Sequence, residues 1–252
     1  MKINFIIKKG DFMLRFHSFE TMGTQEGPGI RLLVFLQGCN AECVYCHNPD
    51  TWPMKAGELV SENFIIDKVK KEMPYFGENG GVTFSGGDPI VQMKNLVPLL
   101  KKLKEMKVHT AIETNCSIFN DDAKEMLDTT DLLLLDLKHI NPEWREKITG
   151  INFDPMKFAD YCEENNKPFW LRYVLMPGYT DQEEFLEETA QKFKDYKMLE
   201  RTEILRYHRE GITKYEEMGI EYKYKDVPPP SDEETEKAKN IFSKYLKEVY
   251  VR

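Results

Sequence analysis

The feature that most constrains the fold is an alternation of short apolar segments with helical patterns along most of the chain. Six β-rich segments recur, and most are dense apolar runs: IRLLVFLQG, GVTFSGG, HTAIETN, DLLLLDLKH, PFWLRYVLMPG and RTEILRYH. Such runs are typical of parallel strands that are covered on both faces. Between them, apolar residues recur at helical spacing, as in Leu96, Leu99, Leu100 and Leu103. The alternation predicts an α/β protein with a parallel sheet, either doubly wound or part of a barrel.

The length and the lack of linkers predict one domain. The chain has 252 residues, which is enough for one large core, and no low-complexity segment divides it. We therefore expect a single domain over residues 1–252, with residues 1–13 as a flexible N-terminal extension. The segment SDEE before Ala238 fits a capping box. It predicts a C-terminal helix and tail over residues 231–252.

The charge and the cysteine usage narrow the class of function. A net charge of −8 argues against a nucleic-acid-binding protein, because no basic surplus exists to neutralise phosphates. No segment approaches the roughly 18 apolar residues of a membrane span, and the apolar run near the N-terminus ends at Ile7. We expect a cytoplasmic protein, in which thiols stay reduced. Five cysteines, three of them clustered, then indicate metal chemistry rather than disulfides.

The cluster lies in GCNAECVYCHNPDTW, which places Cys39, Cys43 and Cys46 before His47. The CVYCH segment matches a haem attachment pattern, but such haems belong to exported proteins, and Cys39 would be unexplained. A closed zinc site of three thiolates and His47 is a second interpretation, although adjacent ligands at 46 and 47 are awkward.

An iron–sulfur cluster held by three cysteines is the interpretation that we favour. A fully ligated cubane cluster takes four thiolates, so three leave one iron with an exchangeable position. Cys116 and Cys162 are candidate fourth ligands. Cys162 falls on the apolar face of a predicted helix, four residues after Phe158, where a thiol is most simply a small apolar side chain.

The spacing C-x-x-x-C-x-x-C, with Tyr45 before the last cysteine, resembles the signature of the radical S-adenosylmethionine superfamily. The segments HSFETMGTQEGPGIRLLVFLQGCNAECVYCHNPDTW, GVTFSGGDP, DLLLLDLK, LRYVLMPGYTD and RYH resemble the pyruvate formate-lyase activating enzymes, from about Leu14 to the end. The chain lacks the ferredoxin-like insert with further cysteines that other activases of glycyl radical enzymes carry. The resemblance implies a partial (β/α)6 TIM-like barrel of the radical SAM type.

The resemblance also implies roles for individual residues. Cys39, Cys43 and Cys46 would hold a 4Fe–4S cluster, and S-adenosylmethionine would bind its fourth iron. Residues around the cofactor would be Tyr45, Cys46, His47, Asn48, Gly86, Gly87, Asp88, Asp136, Leu137, Lys138 and His208. A monovalent cation, K⁺ or Na⁺, would be held by Glu113, Thr114 and Asp136. Glu26 and Arg172 would position the substrate peptide.

Three carboxylates depart from the family pattern. Asp88 stands where the family has Glu, while Glu113 and Glu26 stand where it has Asp. Each exchange keeps the charge and moves the carboxylate by one methylene group.

The implied activity is the activation of pyruvate formate-lyase under anaerobic conditions. Reductive cleavage of S-adenosylmethionine would give a 5′-deoxyadenosyl radical, which would take hydrogen from a backbone glycine of that enzyme. Flavodoxin or ferredoxin would donate the electron, and we expect the chain to be a monomer. Two alternatives are an activase of a different glycyl radical enzyme and a non-catalytic zinc-binding protein.

Overall fold

The computed structural model describes residues 12–252. Its strands and helices, in chain order, are β1 (Met13–Gly23), β2 (Arg31–Leu36), β3 (Glu58–Ser61), α1 (Glu62–Glu72), β4 (Gly81–Gly86), α2 (Met93–Glu105), β5 (His109–Thr114), α3 (Asp121–Thr129), β6 (Leu132–Asp136), α4 (Pro142–Thr149), α5 (Met156–Glu164), β7 (Phe169–Leu175), α6 (Glu183–Phe193), β8 (Leu199–Arg206), α7 (Ile212–Glu217), α8 (Asp232–Ser243) and β9 (Val249–Val251).

The strands form one sheet in the order β3-β1-β2-β4-β5-β6-β7-β8-β9. The six predicted strands are β2 and β4 to β8, and each is parallel to its neighbour in that order. β1 is antiparallel to both β2 and β3, whereas β9 is parallel to β8. The prediction of a parallel α/β array is therefore confirmed, as a partial barrel whose sheet has β3 and β9 at its edges.

The two faces of the sheet have different roles. Outward residues such as Leu133 and Leu135 belong to the main hydrophobic core beneath the helices. Their neighbours Leu132 and Leu134 point the other way and form a small separate cluster inside the barrel with Ala111 and Trp170. Because both faces bury leucine, the run DLLLLD has no polar alternation. The small inner cluster fills one end of the barrel, which leaves the carboxyl ends of the strands for a cavity.

Local sequence signals set several helix ends. Asn120 begins α3 and Asn141 begins α4, and each side chain accepts hydrogen bonds from backbone N–H groups of the first turn. Ser231 and Glu234 form the predicted capping box at the start of α8. Such caps stabilise a helix end by about 0.5–2 kcal/mol each.

Two expectations concern the ends of the chain. Residues 1–11 of the expected N-terminal extension lie outside the described residues, and Met13 already belongs to β1. The segment over residues 231–252, expected as a C-terminal helix and tail, contains α8 and then the short strand β9 (Val249–Val251). This short strand bonds to the edge of β8 and extends the sheet. Within residues 12–252, no helix combines the length and apolar character that crossing a membrane requires.

Candidate active site

A cavity of about 450 Å³ lies at the carboxyl ends of the parallel strands. Ligand cavities in proteins commonly have volumes of about 300–1,000 Å³. Every predicted site residue except Leu137 lines it: Glu26, Cys39, Cys43, Tyr45, Cys46, His47, Asn48, Gly86, Gly87, Asp88, Glu113, Thr114, Asp136, Lys138, Arg172 and His208. The Leu137 side chain is fully buried elsewhere, and its backbone N–H donates to the carbonyl oxygen of Arg172 at 2.9 Å.

The three clustered cysteines are free thiols on one wall of this cavity. The backbone N–H of Ala41 donates to Cys39 Sγ, and that of Asn48 donates to Cys46 Sγ, each at 3.4 Å. Burial raises the pKa of Cys43 to about 12, although the nearby charge of Lys138 acts in the opposite direction. A thiolate in such a place needs a positive centre beside it, which a bound metal provides.

The loop that carries the cysteines is anchored to the C-terminal end of α4. The backbone N–H of Glu42 donates to Thr149 O at 3.0 Å, and that of Val44 donates to Ile148 O at 2.9 Å. Cys43 itself belongs to a second hydrophobic cluster, separate from the main core. The loop is therefore held in place by the protein and partly shielded from water.

The thiols of Cys39, Cys43 and Cys46 share one wall of the cavity. Across the described part of the chain, no three His, Cys, Asp or Glu side chains are placed to hold a single metal ion. A four-iron cluster separates its thiolates more widely, because each binds a different iron.

Neither of the remaining cysteines is available as a fourth ligand. Cys116 and Cys162 are 1% and 0% exposed and belong to the main hydrophobic core. Their thiols therefore act as small apolar side chains. The thiols of Cys39, Cys43 and Cys46 therefore remain as the candidate ligands at the cavity.

Gly86 and Gly87 end β4 against the cysteine loop. Gly86 has φ +108°, and a Cβ there would lie 2.5 Å from the backbone nitrogen and oxygen of Leu36. A Cβ on Gly87 would lie 2.2 Å from the carbonyl oxygen of Gly38. The tightest constraint on these glycines is the backbone of the neighbouring strand and of the turn before Cys39.

Asp88 is buried and fully engaged by the protein. Its carboxylate accepts bonds from Ile90 N at 3.0 Å, Thr114 Oγ1 at 2.7 Å and Asn115 N at 2.7 Å. Burial raises its pKa to about 6. The side chain therefore joins the ends of β4 and β5.

An ionic row crosses the interior of the barrel, and Ser85, Glu113 and Arg172 of this row line the cavity. Arg172 Nη1 donates to Glu113 Oε1 at 2.7 Å, and Ser85 Oγ donates to Glu113 Oε2 at 2.6 Å. On its other side, Arg172 Nε lies 3.5 Å from Oε2 of Glu203, whose side chain is 0% exposed. Burial opposes the charge of Arg172, but the two glutamates raise its pKa. The row links β4, β5, β7 and β8.

Glu26 also lines the cavity but takes no part in these ion pairs. Burial, followed by the negative charge of Glu113, raises its pKa to about 7. A carboxyl group with such a pKa is poised to accept a hydrogen bond or to be neutralised by a cationic or peptide ligand.

Lys138 and Asp136 form a partly buried ion pair at the end of β6. Burial would lower the pKa of Lys138, but Asp136 and Tyr45 raise it well above its ordinary value. The ammonium also lies 5.5 Å from the centre of the Tyr45 ring. The ion pair therefore links Tyr45 of the cysteine loop to Asp136 at the end of β6.

The side chains of the two predicted histidines, His47 and His208, lie against each other. The His47 and His208 rings lie 3.9 Å apart between centroids, and His47 Nε2 lies 3.0 Å from the carbonyl oxygen of His208. Burial, followed by the charge of His208, lowers the pKa of His47, so the ring is neutral near pH 7. The two rings are tilted by 36° to each other and offer an aromatic surface to a ligand.

Several buried polar atoms at the cavity have no hydrogen-bond partner in the protein. They include Tyr45 Oη, Asp136 Oδ1 and His208 Nδ1. Buried polar atoms are nearly always bonded, so unpaired ones that converge on a cavity indicate a polar ligand. Asp136 Oδ1 is the one carboxylate oxygen among the three atoms named here, and it fits a cationic group or a metal ion.

Sequence reasoning missed three residues of the site. Glu203 completes the ionic row, and Lys214 and Tyr215 of α7 bind the cysteine loop. Tyr215 Oη donates to Cys46 O at 3.1 Å, and Lys214 Nζ donates to Asn48 Oδ1 at 2.7 Å. The segment TEILRYH reads as an ordinary strand and ITKYEE as a surface helix, so no local signal identifies them.

Comparisons with known proteins support the same interpretation of the site. Residues 25–149 match the family model described as a 4Fe-4S single cluster domain. The chain is 40% identical to the pyruvate formate-lyase-activating enzyme of Clostridium pasteurianum over 241 residues, 94% of this chain and 98% of that protein.

Two solved structures share the fold. A domain of a pyruvate-formate lyase-activating enzyme from Bacteroides vulgatus superposes with a TM-score of 0.58 at 22% identity, over 69% of this chain and 99% of that one. A radical SAM methyltransferase from Sphaerobacter thermophilus superposes with a TM-score of 0.63 at 14% identity, over 88% and 66%. The long match to the clostridial protein decides the family: the chain belongs to the pyruvate formate-lyase-activating enzymes.

Proposed function

We propose that this protein activates pyruvate formate-lyase by generating its glycyl radical. The observation that carries the proposal is the convergence of three free thiols and several unpartnered polar atoms on one cavity, in a chain of this family. When bound, a 4Fe–4S cluster and S-adenosylmethionine supply a one-electron cleavage that removes a hydrogen atom from a backbone glycine of the partner enzyme.

Cys39, Cys43 and Cys46 hold the cluster in this proposal. They are the available thiols on the cavity wall, and backbone N–H groups already donate to the sulfurs of Cys39 and Cys46. Such hydrogen bonds to ligand sulfurs help set the reduction potential of a cluster. Because these three thiols would leave one iron without a protein thiolate, that position would be open to S-adenosylmethionine.

The rest of the cavity wall holds the organic cofactor. Polar atoms of Asp136 and His208, together with the backbone of Gly86 and Gly87, face the space that it would occupy. Residues 45–48 provide an aromatic surface and backbone polar groups for the adenine. Asp88, Leu137 and Lys138 act mainly by holding this wall in place, since their polar atoms are engaged within the protein.

A monovalent cation, K⁺ or Na⁺, would bind beside Thr114 and Asp136. Asp136 Oδ1 is unpartnered and available for it. Glu113 is engaged by Arg172 and Ser85, so it would join the cation only if one of these bonds opened. Hard cations accept oxygen ligands of this kind with flexible geometry.

The peptide of the partner enzyme would enter over Glu26 and Arg172. Both residues line the cavity, and Arg172 belongs to the ionic row. The row fixes the position of the arginine before the peptide arrives. We further propose that a flavodoxin or ferredoxin donates the electron, and that the chain acts in the cytoplasm as a single-domain monomer.

The test compares Cys43→Ala with Cys162→Ala, which removes a core thiol outside the cavity. After anaerobic reconstitution, the wild-type protein and Cys162→Ala should bind iron and sulfide and form 5′-deoxyadenosine from S-adenosylmethionine. Cys43→Ala should lose both properties, because its thiolate is a cluster ligand. Retained cofactor cleavage in Cys43→Ala would overturn the proposal.

A further inference from the structure

Lys214 makes a contact that the proposed function leaves unexplained. Its Nζ donates to Asn48 Oδ1 at 2.7 Å and to Asp50 Oδ1 at 3.1 Å. Asn48 lines the cavity, and its backbone N–H donates to Cys46 Sγ. A residue of α7 therefore holds the side chain that lies two residues after Cys46, although 166 positions separate Lys214 from Asn48 in sequence.

The chemistry of the lysine determines which end of the Asn48 amide it can bind. An ammonium group has three donors and no acceptor, so it bonds the amide oxygen and not the amide nitrogen. With Oδ1 committed to Lys214, the two N–H donors of Asn48 Nδ2 remain for a ligand. An isolated asparagine could present either end, because the two orientations have nearly the same shape.

The lysine is itself held in place. Asp50 accepts Lys214 through Oδ1 and His17 through Oδ2, the latter at 2.9 Å. His17 Nδ1 in turn lies 2.8 Å from Ser18 Oγ. This chain of contacts runs from β1 to α7 across the turn that follows the cysteines. It leaves Lys214 about one third exposed, so the contact is accessible to substitution without opening the core.

We propose that Lys214 is a positioning residue that orients the Asn48 amide so that its N–H donors face S-adenosylmethionine in the cavity. The inference rests on the proposed function, since it requires that the cavity bind this cofactor. The loss of one such oriented donor should weaken cofactor binding about tenfold.

The experiment measures the affinity of S-adenosylmethionine for the reconstituted protein by anaerobic calorimetry, without turnover. Lys214→Met should bind the cofactor about tenfold more weakly, whereas Lys214→Arg should recover most of the affinity because it also donates. The exposed Lys223, which lies in the segment that follows α7, provides the matched control Lys223→Met and should bind like the wild-type protein. Iron content and thermal midpoint are recorded for every variant.

A double-mutant cycle separates positioning from simple support of the fold. Asn48→Ala should weaken binding, and adding Lys214→Met to it should cause no further loss, because the lysine acts through the asparagine. Additive losses, or wild-type affinity in Lys214→Met, would overturn the inference. If the wild-type protein itself does not bind S-adenosylmethionine, the proposed function fails rather than this assignment alone.

Discussion

Replacing Arg172 by Met should destabilise the protein strongly, because it leaves buried negative charge without its cation. Arg172 is 5% exposed and lies between Glu113 at 2.7 Å and Glu203 at 3.5 Å, and Glu203 is 0% exposed. Glu203 retains Arg252 at 3.3 Å and Arg201 at 3.7 Å, but both lie on its other carboxylate oxygen. Removing one partner from a buried ion pair typically costs about 3–5 kcal/mol, and we expect a loss in that range.

The measurement is urea unfolding of the reduced, cluster-free protein, followed by tryptophan fluorescence and extrapolated to zero urea. Arg201→Met is the matched control. Arg201 is 27% exposed and stacks on Trp170 and Tyr250, with distances of 4.2 and 4.4 Å to the ring centres. Losing those contacts should cost only about 1–2 kcal/mol.

A second substitution tests whether the unpaired charge of Glu203 causes this loss of stability. The double variant Arg172→Met/Glu203→Gln should be more stable than Arg172→Met by at least about 1 kcal/mol, because the buried charge is gone. If Arg172→Met costs no more than the Arg201→Met control, or if adding Glu203→Gln lowers stability further, the reasoning is wrong.

Two other predictions concern the cysteine loop and Glu26. Gly87→Ala should displace the turn before Cys39 and lower iron incorporation after reconstitution, because its Cβ would lie 2.2 Å from Gly38 O. Gly77→Ala, whose Cβ meets no atom within 4 Å and which lies before the start of β4, should bind iron normally, because its φ of +60° strains the backbone only locally. Glu26 has a folded-state pKa raised from 4.5 to about 7, so the folded state binds the proton more tightly and its stability should fall as pH rises through this window. Glu26→Gln should show a flatter dependence of unfolding free energy on pH between 4.5 and 7; an unchanged slope would contradict the assignment.

Much of the fold was predictable because its strands carry strong local signals. The run Leu132–Leu135 is apolar on both faces, and this pattern identifies a covered parallel strand without any knowledge of its neighbours. β1 and β9 gave no such signal. β1 mixes polar and apolar residues, and β9 has only three residues, so its pairing with β8 depends on the sheet that is already present.

Some site residues can likewise be identified from local sequence, whereas others depend on contacts with distant elements. From the sequence, the clustered cysteines and strand-end residues such as Asp136 could be assigned to one cavity, because the carboxyl ends of parallel strands meet there. Lys214 and Glu203 could not, since each takes its role from partners on distant elements. The glycines were placed correctly, but their close contact with Leu36 and Gly38 depends on how the neighbouring strand and turn approach them.

The central claim is tested most directly by electron paramagnetic resonance of an anaerobic mixture containing the reconstituted, reduced protein, S-adenosylmethionine and pyruvate formate-lyase. The account predicts a glycyl-radical doublet that requires all three components and is absent with Cys43→Ala. A fully reconstituted protein that yields neither the doublet nor 5′-deoxyadenosine would contradict it. Cofactor cleavage without the doublet would retain the radical chemistry and assign the protein to a different glycyl radical enzyme.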